Sequence, residues 1–467
     1  MQIRAALRQF FTAGAPGTDS DPSSQRGWRA PAARRMFWVG LAVRVLYITL
    51  AHTYRFRTSE DHFPYGWEMG RIARSLATGH GFANPFGGNT GPTAWTPPLY
   101  PLLMAACFRL FGVYSNLSAW FLLSINSVFS AATAPAIFEV ADRCYGNRPD
   151  GRGVALWSGW LWALYPAALQ YAVHWPWDMA LTTWLFSMVL VLGLRLRKVG
   201  SPAETPAQSI NPLPWAALGL FWGLIALSNS SLLTFLPIQA VWILWPSRHQ
   251  LLHTLRPALL GAAVFLACIG PWILRNERAF HAFVPLRGNF GAELYMSALP
   301  SHEGFPWGTD IPTTASSREL RQYAQLGELN YSRLQGQRGK ALIAADPGRF
   351  VRAILLRVQF FWAGVPHPYD HGVLDEFFRQ LNYSFLSVAG LLGLALSLHR
   401  RVPAAGLSAA AFAVLPLIYY AITVQARFRH PLEPLITVFS VYLFRNADRS
   451  RVWSFRRAPG VSQQVSA

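Results

Sequence analysis

Charge is scarce in this sequence. Only 13% of its 467 residues are Asp, Glu, Lys or Arg, against about 25% in an average soluble domain. Lysine is nearly absent beside arginine, and 52% of the residues are hydrophobic. That much apolar surface cannot be hidden in one soluble core, and a bilayer is the solvent it fits. Cysteine is equally sparse. Cys107, Cys144 and Cys268 are odd in number and share no short spacing, which speaks against a disulfide framework and a zinc site; they read as small buried apolar residues. There is no Walker A loop, which argues against ATP-driven pumping by this chain, and neither HExxH nor GxSxG occurs. Residues 1–35 lack the apolar stretch of ~7–15 residues that a cleavable signal peptide needs. The first membrane helix is therefore expected to act as an uncleaved signal.

What is present is arginine, aromatic side chains and long apolar runs. The net charge of +19 raises nucleic-acid binding as a possibility. The arginines, however, fall in short segments between apolar runs, which is the positive-inside pattern of a membrane protein, so no nucleic-acid partner is expected. Residues 1–35 read as a flexible basic cytoplasmic tail and 447–467 as a second one. Between them, residues 36–446 read as one all-α polytopic membrane domain of about ten transmembrane helices. The apolar runs begin with MFWVGLAVRVLYITLAHTY at Met36 and continue near 117–140, 153–174, 179–195, 213–229, 231–246, 257–274, 381–398, 404–424 and 433–445. Arg44 lies within the first; a charge at such depth is costly and is expected to face protein or water. The short loops carrying Arg143, Arg148 and Arg152, then Arg195, Arg197 and Lys198, then Arg248 and Arg256, then Arg400 and Arg401 should be cytoplasmic. An even number of crossings puts both termini on that side.

Two long segments, about 54–116 and 275–380, then face outward. The first holds a helical stretch, GWEMGRIARSLATGHGF, and PPLYPLLMAACFRLFG, too short and proline-rich to span and so read as an interfacial helix. The second holds polar helix-forming segments around 318–345 and an apolar one around 350–362. A transporter with short loops has no need of such structures, whereas an enzyme working at the outer face does. No inverted half-and-half hydropathy symmetry of the kind common in secondary transporters is visible.

Three groups of residues can carry chemistry. Glu60, Asp61, His62, Tyr65, Trp67 and Glu68 crowd the first outer segment, and Glu68 and Arg71, at i,i+3, share a helix face. This is either a surface ion pair or a carboxylate held as a general base. Asp178, in HWPWDMALTTWL, opens a membrane helix beside Trp175 and Trp177; it is either a helix cap or a second acid of the same site. Arg275, Arg278 and Arg287 follow one span, and Arg427, Arg429 and His430 in VQARFRHPLEP stand near the outer end of another. A guanidinium fork matches phosphate oxygens, so these cations either anchor lipid headgroups or hold the phosphate of a lipid carrier.

The order of these motifs has a likeness. A first span, an acidic outer loop, IARSLATGHGF, GPTAWTPPLYPLL, RLFG, an acid at the start of a later span, PWILRN with FVPLRGNFGAELY, ADPGRFVRAILLRVQFFW and RFRHPLEP together resemble bacterial GT-C glycosyltransferases of the protein O-mannosyltransferase and aminoarabinose-transferase superfamily. The resemblance runs from Met36 to Asn446. It implies many membrane helices with periplasmic loops over a cavity, a polyprenyl-phosphate-linked sugar as donor, and a lipid, glycan or protein acceptor at the outer face of a bacterial inner membrane. It further implies a loop-one acid as base, with arginines and in some relatives a divalent metal handling the lipid phosphate. The position where relatives carry the loop-one acid falls on Tyr65. Glu68 lies about one turn after it and Asp61 about one turn before; Glu68 is favoured because its helix fixes it. Asp178 matches the later acid, and Arg275, Arg427 and Arg429 match cationic positions. Arg287, His430, Tyr65 and Trp95 complete the expected substrate contacts. Asp61, His62 and Glu68 are the candidate metal ligands, although their spacing is not a metal signature. A lipid-linked sugar flippase and a catalytically inactive relative are the alternatives, the latter because of the displaced loop-one acid.

Overall fold

The computed structural model describes residues 28, 30–56, 63–201, 211–245, 251–300, 317–366 and 372–446, and both expected tails lie almost wholly outside them. Within these residues the protein is helical throughout, with one isolated antiparallel bridge between Ala83 and Pro92. Helices α1 (Pro31–Leu50), α2 (Glu68–Ala77), α3 (Leu99–Phe111), α4 (Asn116–Tyr145), α5 (Gly151–Leu164), α6 (Pro166–His174) and α7 (Met179–Leu196) form the first half. The second half is α8 (Leu213–Ala226), α9 (Leu236–Leu244), α10 (Leu251–Phe280), α11 (Phe290–Ala298), α12 (Ser317–Leu326), α13 (Glu328–Ala345), α14 (Pro347–Ala363), α15 (Val373–His399), α16 (Ala405–Val414), α17 (Leu417–Ala421) and α18 (Glu433–Asn446).

Among the described residues four helices are long and apolar enough to cross a membrane, within Asn116–Tyr145, Met179–Leu196, Leu255–Phe280 and Leu374–His399. The ten continuous runs of the sequence differ from this because several are interrupted. Pro166 separates α5 from α6, and Pro416 separates α16 from α17. A 3-10 turn, Ser230–Phe235, precedes α9. A proline ring has no N–H and clashes with the carbonyl four residues back; the chain breaks at Pro166 and Pro416, whereas α4 and α10 run on through Pro135, Pro257 and Pro271.

Helix α4 is the central post. It packs against α1, α5, α6 and α7, and about half of its buried positions are Ala or Ser, which let neighbouring backbones approach. Arg44 shows how the breaks are tolerated. Pro166 cannot donate to the Trp162 carbonyl, and Arg44 does so instead, with Nη2 at 3.3 Å from Trp162 O and Nη1 at 2.7 Å from Ala163 O. Its Nε donates to Ser130 Oγ at 3.1 Å, and the side chain is wholly buried. The expected intramembrane charge is thus a cap for a broken helix.

The basic loops gather at one end of the bundle. Glu139 takes two bonds from Arg195 (2.7 and 2.6 Å) and one from Arg143 (2.8 Å), while Arg148 donates to the carbonyls of Arg400 and Arg401. Arg445 pairs with Asp150 at 2.5 Å. At the other end, residues 82–95 are clasped to the chain around 275–331. Arg275 donates to the carbonyls of Thr93 (2.7 Å) and Phe82 (2.5 Å). Glu328, the first residue of α13, accepts from Thr93 Oγ1, from the Ala94 amide at 2.8 Å and from Tyr323 Oη at 2.9 Å. Leaving a buried carbonyl unpaired costs about 1–3 kcal/mol, so Arg44→Met is expected to lower the thermal midpoint in detergent. The same substitution should cost less in a Pro166→Ala background, where a new N–H can reach Trp162 O; equal losses in both backgrounds would refute the capping role.

Candidate active site

The site is built where short turns meet helix starts. The turn before α2 runs through Gly66 (φ +79°) and Trp67 (φ +51°), both in the left-handed region. A Cβ on Gly66 would lie 2.9 Å from Trp177 Cδ1 and 3.0 Å from Pro176 O, so glycine is required there both for its φ and for the close approach. Trp67 is a bulky residue in a conformation that such residues seldom adopt, a strain that concentrates at functional sites. The turn delivers Glu68 as the first residue of α2, and Arg71, on the same face, attracts its charge.

Asp178 comes from the opposite side. Buried Asn126 of α4 fixes the turn that carries it, donating to the carbonyls of Trp175 (3.0 Å) and Trp177 (3.2 Å) and accepting from Tyr100 Oη at 3.1 Å. Asp178 occupies the N-cap position of α7, yet its side chain makes no capping bond. Its Oδ2 instead faces Thr182 Oγ1 at 3.4 Å. The carboxylate lines the cavity without making a capping bond to the next turn of α7.

Two arginines complete the site. Arg427, in the 3-10 segment Ala426–Leu432, lays its guanidinium 3.6 Å from the Trp177 ring centre, a cation–π contact that orients it without using its donors on carbonyls. Arg287 donates from Nε to Trp95 O at 3.0 Å and stands 3.8 Å from Glu293 Oε1. Glu293 of α11 also accepts from Asn289 Nδ2 at 2.9 Å. Glu68, Asp178, Glu293, Arg287 and Arg427 all line one cavity of about 180 Å³, with Trp95 and Trp177 in its wall.

The charges sense one another. Burial pushes the carboxyls of Glu68, Asp178 and Glu293 above their ordinary range, and Arg427 and Arg287 oppose that rise in all three. Glu68 adds to the rise at Glu293 by like-charge repulsion. Burial thus favours the protonated form of each carboxyl while the guanidiniums favour the ionised form, a balance suited to a group that exchanges a proton.

The remaining expected residues sit as follows. Asp61 and His62 lie outside the described residues. Trp95 lines the cavity. Tyr65 is buried among Phe56, Phe108 and Tyr114, and its hydroxyl donates to Ser115 O at 2.9 Å. Arg275 is committed to the loop clasp. Arg429, 1% exposed, pairs with Glu433 at 3.0 Å, donates to Ser387 Oγ at 2.5 Å and lies over the Tyr383 ring. His430 packs against Trp162 and Tyr171 and faces Glu433. None of these four lines the cavity; local chemistry chose them, and long-range partners occupy them. Conversely, Glu293 was not singled out from the sequence, although FVPLRGNFGAELY contains it six residues after Arg287. Among the described residues no group of three or more His, Cys, Asp and Glu is placed to hold a metal ion.

No protein-family model matches the sequence, and no curated protein matches it significantly. Solved structures do match. The oligosaccharyltransferase of Archaeoglobus fulgidus in the apo form superposes with a TM-score of 0.50 at 14% identity, over 90% of this chain and 51% of that one. The same enzyme tethered with an acceptor peptide gives 0.50 at 13% identity, over 92% and 52%. ArnT from Cupriavidus metallidurans bound to undecaprenyl phosphate gives 0.39 at 14% identity, over 89% of this chain and 78% of that one. The chain spans about half the length of the oligosaccharyltransferase chains it matches.

Gly66→Ala places a Cβ against Trp177 at a positive φ. It is expected to cost about 1–3 kcal/mol and to loosen the Glu68 turn; unchanged thermal unfolding would show that the turn relaxes freely.

Proposed function

We propose, from a GT-C-like fold with an acid–arginine cavity at one end of its helices, that this chain is a membrane glycosyltransferase. It moves a sugar from a polyprenyl-phosphate-linked donor to a lipid, glycan or protein acceptor at the outer face of a bacterial inner membrane. On this reading the helices, broken ones included, make up about ten crossings. The arginine-rich end and both termini are cytoplasmic, and the segments of residues 54–116 and 275–380 cover the site from outside. The observation that carries the proposal is the convergence of Glu68, Asp178, Glu293, Arg287 and Arg427 on one cavity.

The chemistry needs a base and a cation. Glu68 removes the proton from an acceptor hydroxyl or amine as its oxygen or nitrogen attacks the anomeric carbon. The bond from that carbon to the phosphate oxygen breaks, and its electron pair leaves with the polyprenyl phosphate. Arg427 faces the growing phosphate charge, where a preorganised guanidinium in a water-poor site acts most strongly. Arg287 is shared with Glu293 and serves as the second cation. A single displacement of this kind inverts the anomeric centre. Asp178 and Glu293 keep Arg427 in place and set the proton affinity of Glu68. Arg275 and Glu328 act on the scaffold, and no step is assigned to a metal. An oligosaccharyltransferase of this fold tethered with an acceptor peptide is in keeping with transfer to an acceptor rather than with flipping of the carrier.

The test is transfer of labelled sugar from synthetic polyprenyl-phosphate donors by the full-length protein in nanodiscs. Glu68→Gln is expected to reduce turnover by about 10²–10⁴-fold with donor binding retained; near-normal turnover removes Glu68 from the mechanism. Arg427→Ala should weaken donor binding more than acceptor binding, and an unchanged donor affinity would return it to headgroup anchoring. The base works ionised, so rate falls as pH drops through its pKa. Because that pKa is raised, the acidic limb should lie above 4.5. Glu293→Gln removes a like charge and should move the limb down; a limb that stays in place uncouples the two acids.

A further inference from the structure

One wall of the cavity is not used by this chemistry. The turn after α8 contributes Ser228, Asn229 and Ser231, α7 contributes Thr182 and α17 contributes Tyr419, all lining the same cavity as the charged groups. Their polar atoms form two groups, one around Thr182 and one around Asn229. Thr182 Oγ1 meets Ser228 Oγ at 3.0 Å and Asp178 Oδ2 at 3.4 Å, and Asn229 Nδ2 reaches Tyr419 Oη at 3.4 Å. Asn229 Oδ1 is committed, accepting the Ser231 amide at 3.2 Å and starting the 3-10 turn. Contacts of 3.4 Å are long for hydrogen bonds, so these groups can exchange them for better ones offered by a ligand. Hydroxyls both donate and accept, and an amide N–H₂ donates twice. The wall therefore suits a ligand that presents several neutral hydroxyls close together. A ligand carboxylate against Thr182 and Ser228 would meet Asp178, whose Oδ2 stands 3.4 Å from Thr182 Oγ1, and like charges in a confined site repel strongly.

We propose that Thr182, Ser228, Asn229 and Tyr419 form the sugar subsite, and that the ring it takes is hydroxyl-rich and bears no carboxylate. This rests on the transferase reading above. It gives the cavity two functions side by side. Arginines and acids act at the anomeric bond, and a neutral wall identifies the ring. A site built to hydrogen-bond ligand hydroxyls rejects rings that leave its own polar groups unpaired, so this wall determines which donor is used.

The test uses the full-length protein in nanodiscs with three probes: sugar-free polyprenyl phosphate, a polyprenyl-phosphate hexose and the matching hexuronate. Ser228→Ala removes one hydroxyl, and Asn229→Asp keeps the oxygen that caps the turn while replacing the donor. The wild type is expected to use the hexose at least ~10-fold better than the hexuronate. Each variant should lose about 10-fold or more in kcat/KM for the hexose while binding the sugar-free carrier as the wild type does. Variants that transfer hexose normally, variants that lose carrier binding equally, or a wild type that prefers the hexuronate would overturn the subsite. A wild type that breaks down neither donor overturns the transferase reading instead. The subsite is then read from binding alone, as tighter binding of the hexosyl carrier than of the bare carrier, abolished in both variants; equal binding of the two carriers overturns it.

Discussion

The cost of removing charge from water organises this molecule. A buried ion without partners costs several kcal/mol, and a body this apolar offers few places where one can be tolerated. Its charges accordingly fall into two sets. Arg44, Glu139, Arg275, Glu328 and Arg429 are saturated by direct bonds to carbonyls, amides, hydroxyls or opposite charges. The cavity charges are held more loosely. Arg427 rests on an indole face, Arg287 stands 3.8 Å from Glu293, and Asp178 leaves its capping position unused. The first set fixes the scaffold, and the second keeps donors and acceptors available for a ligand.

The saturated charges also explain how a cavity can persist at broken helix ends. Prolines open the apolar runs, and each break frees carbonyls that an unpaired interior cannot hold. Arg44 closes one such break from a helix more than a hundred residues away in sequence. Arg275 and Glu328 do the same for residues 82–95, and so bring Trp95 to the cavity where Arg287 can bond its carbonyl. The loops of the site are thus pinned by one device, an arginine or glutamate spent on backbone groups.

This division explains what could be read in advance. Glu68, Asp178, Arg287 and Arg427 stood out in the sequence because charge is scarce in so apolar a chain, and the fold brings all four to one cavity. The helices within residues 318–362 were legible from their polar and apolar patterning and appear as α12, α13 and α14. Tyr65, Arg275, Arg429 and His430 were chosen by residue type and by position in the resemblance, and packing against other parts of the chain decides where each side chain goes. For Arg275 the partner, Thr93, is 182 residues away, beyond any local pattern. Glu293 was missed for the converse reason. On its own helix it is an ordinary first-turn acid, and only the approach of α11 to α2 makes it a neighbour of Glu68. Breaks within apolar runs, as at Pro166 and Pro416, are not visible to hydropathy, which averages across them.

Charge balance carries the argument one step further. The carboxyls lining the cavity outnumber its arginines by one, and an entering phosphate would add further negative charge. Burial already pushes all three carboxyls toward the neutral form, so a proton is the least costly means of restoring balance. Glu68 and Glu293 raise each other's affinity for it, and two like charges this confined do not both ionise readily. On the proposed reading the bound donor therefore favours one proton shared within the acid group, leaving another carboxylate free to act as base. The second acid is then part of how the first is tuned, and donor binding and base strength are coupled through the electrostatics of a single small cavity.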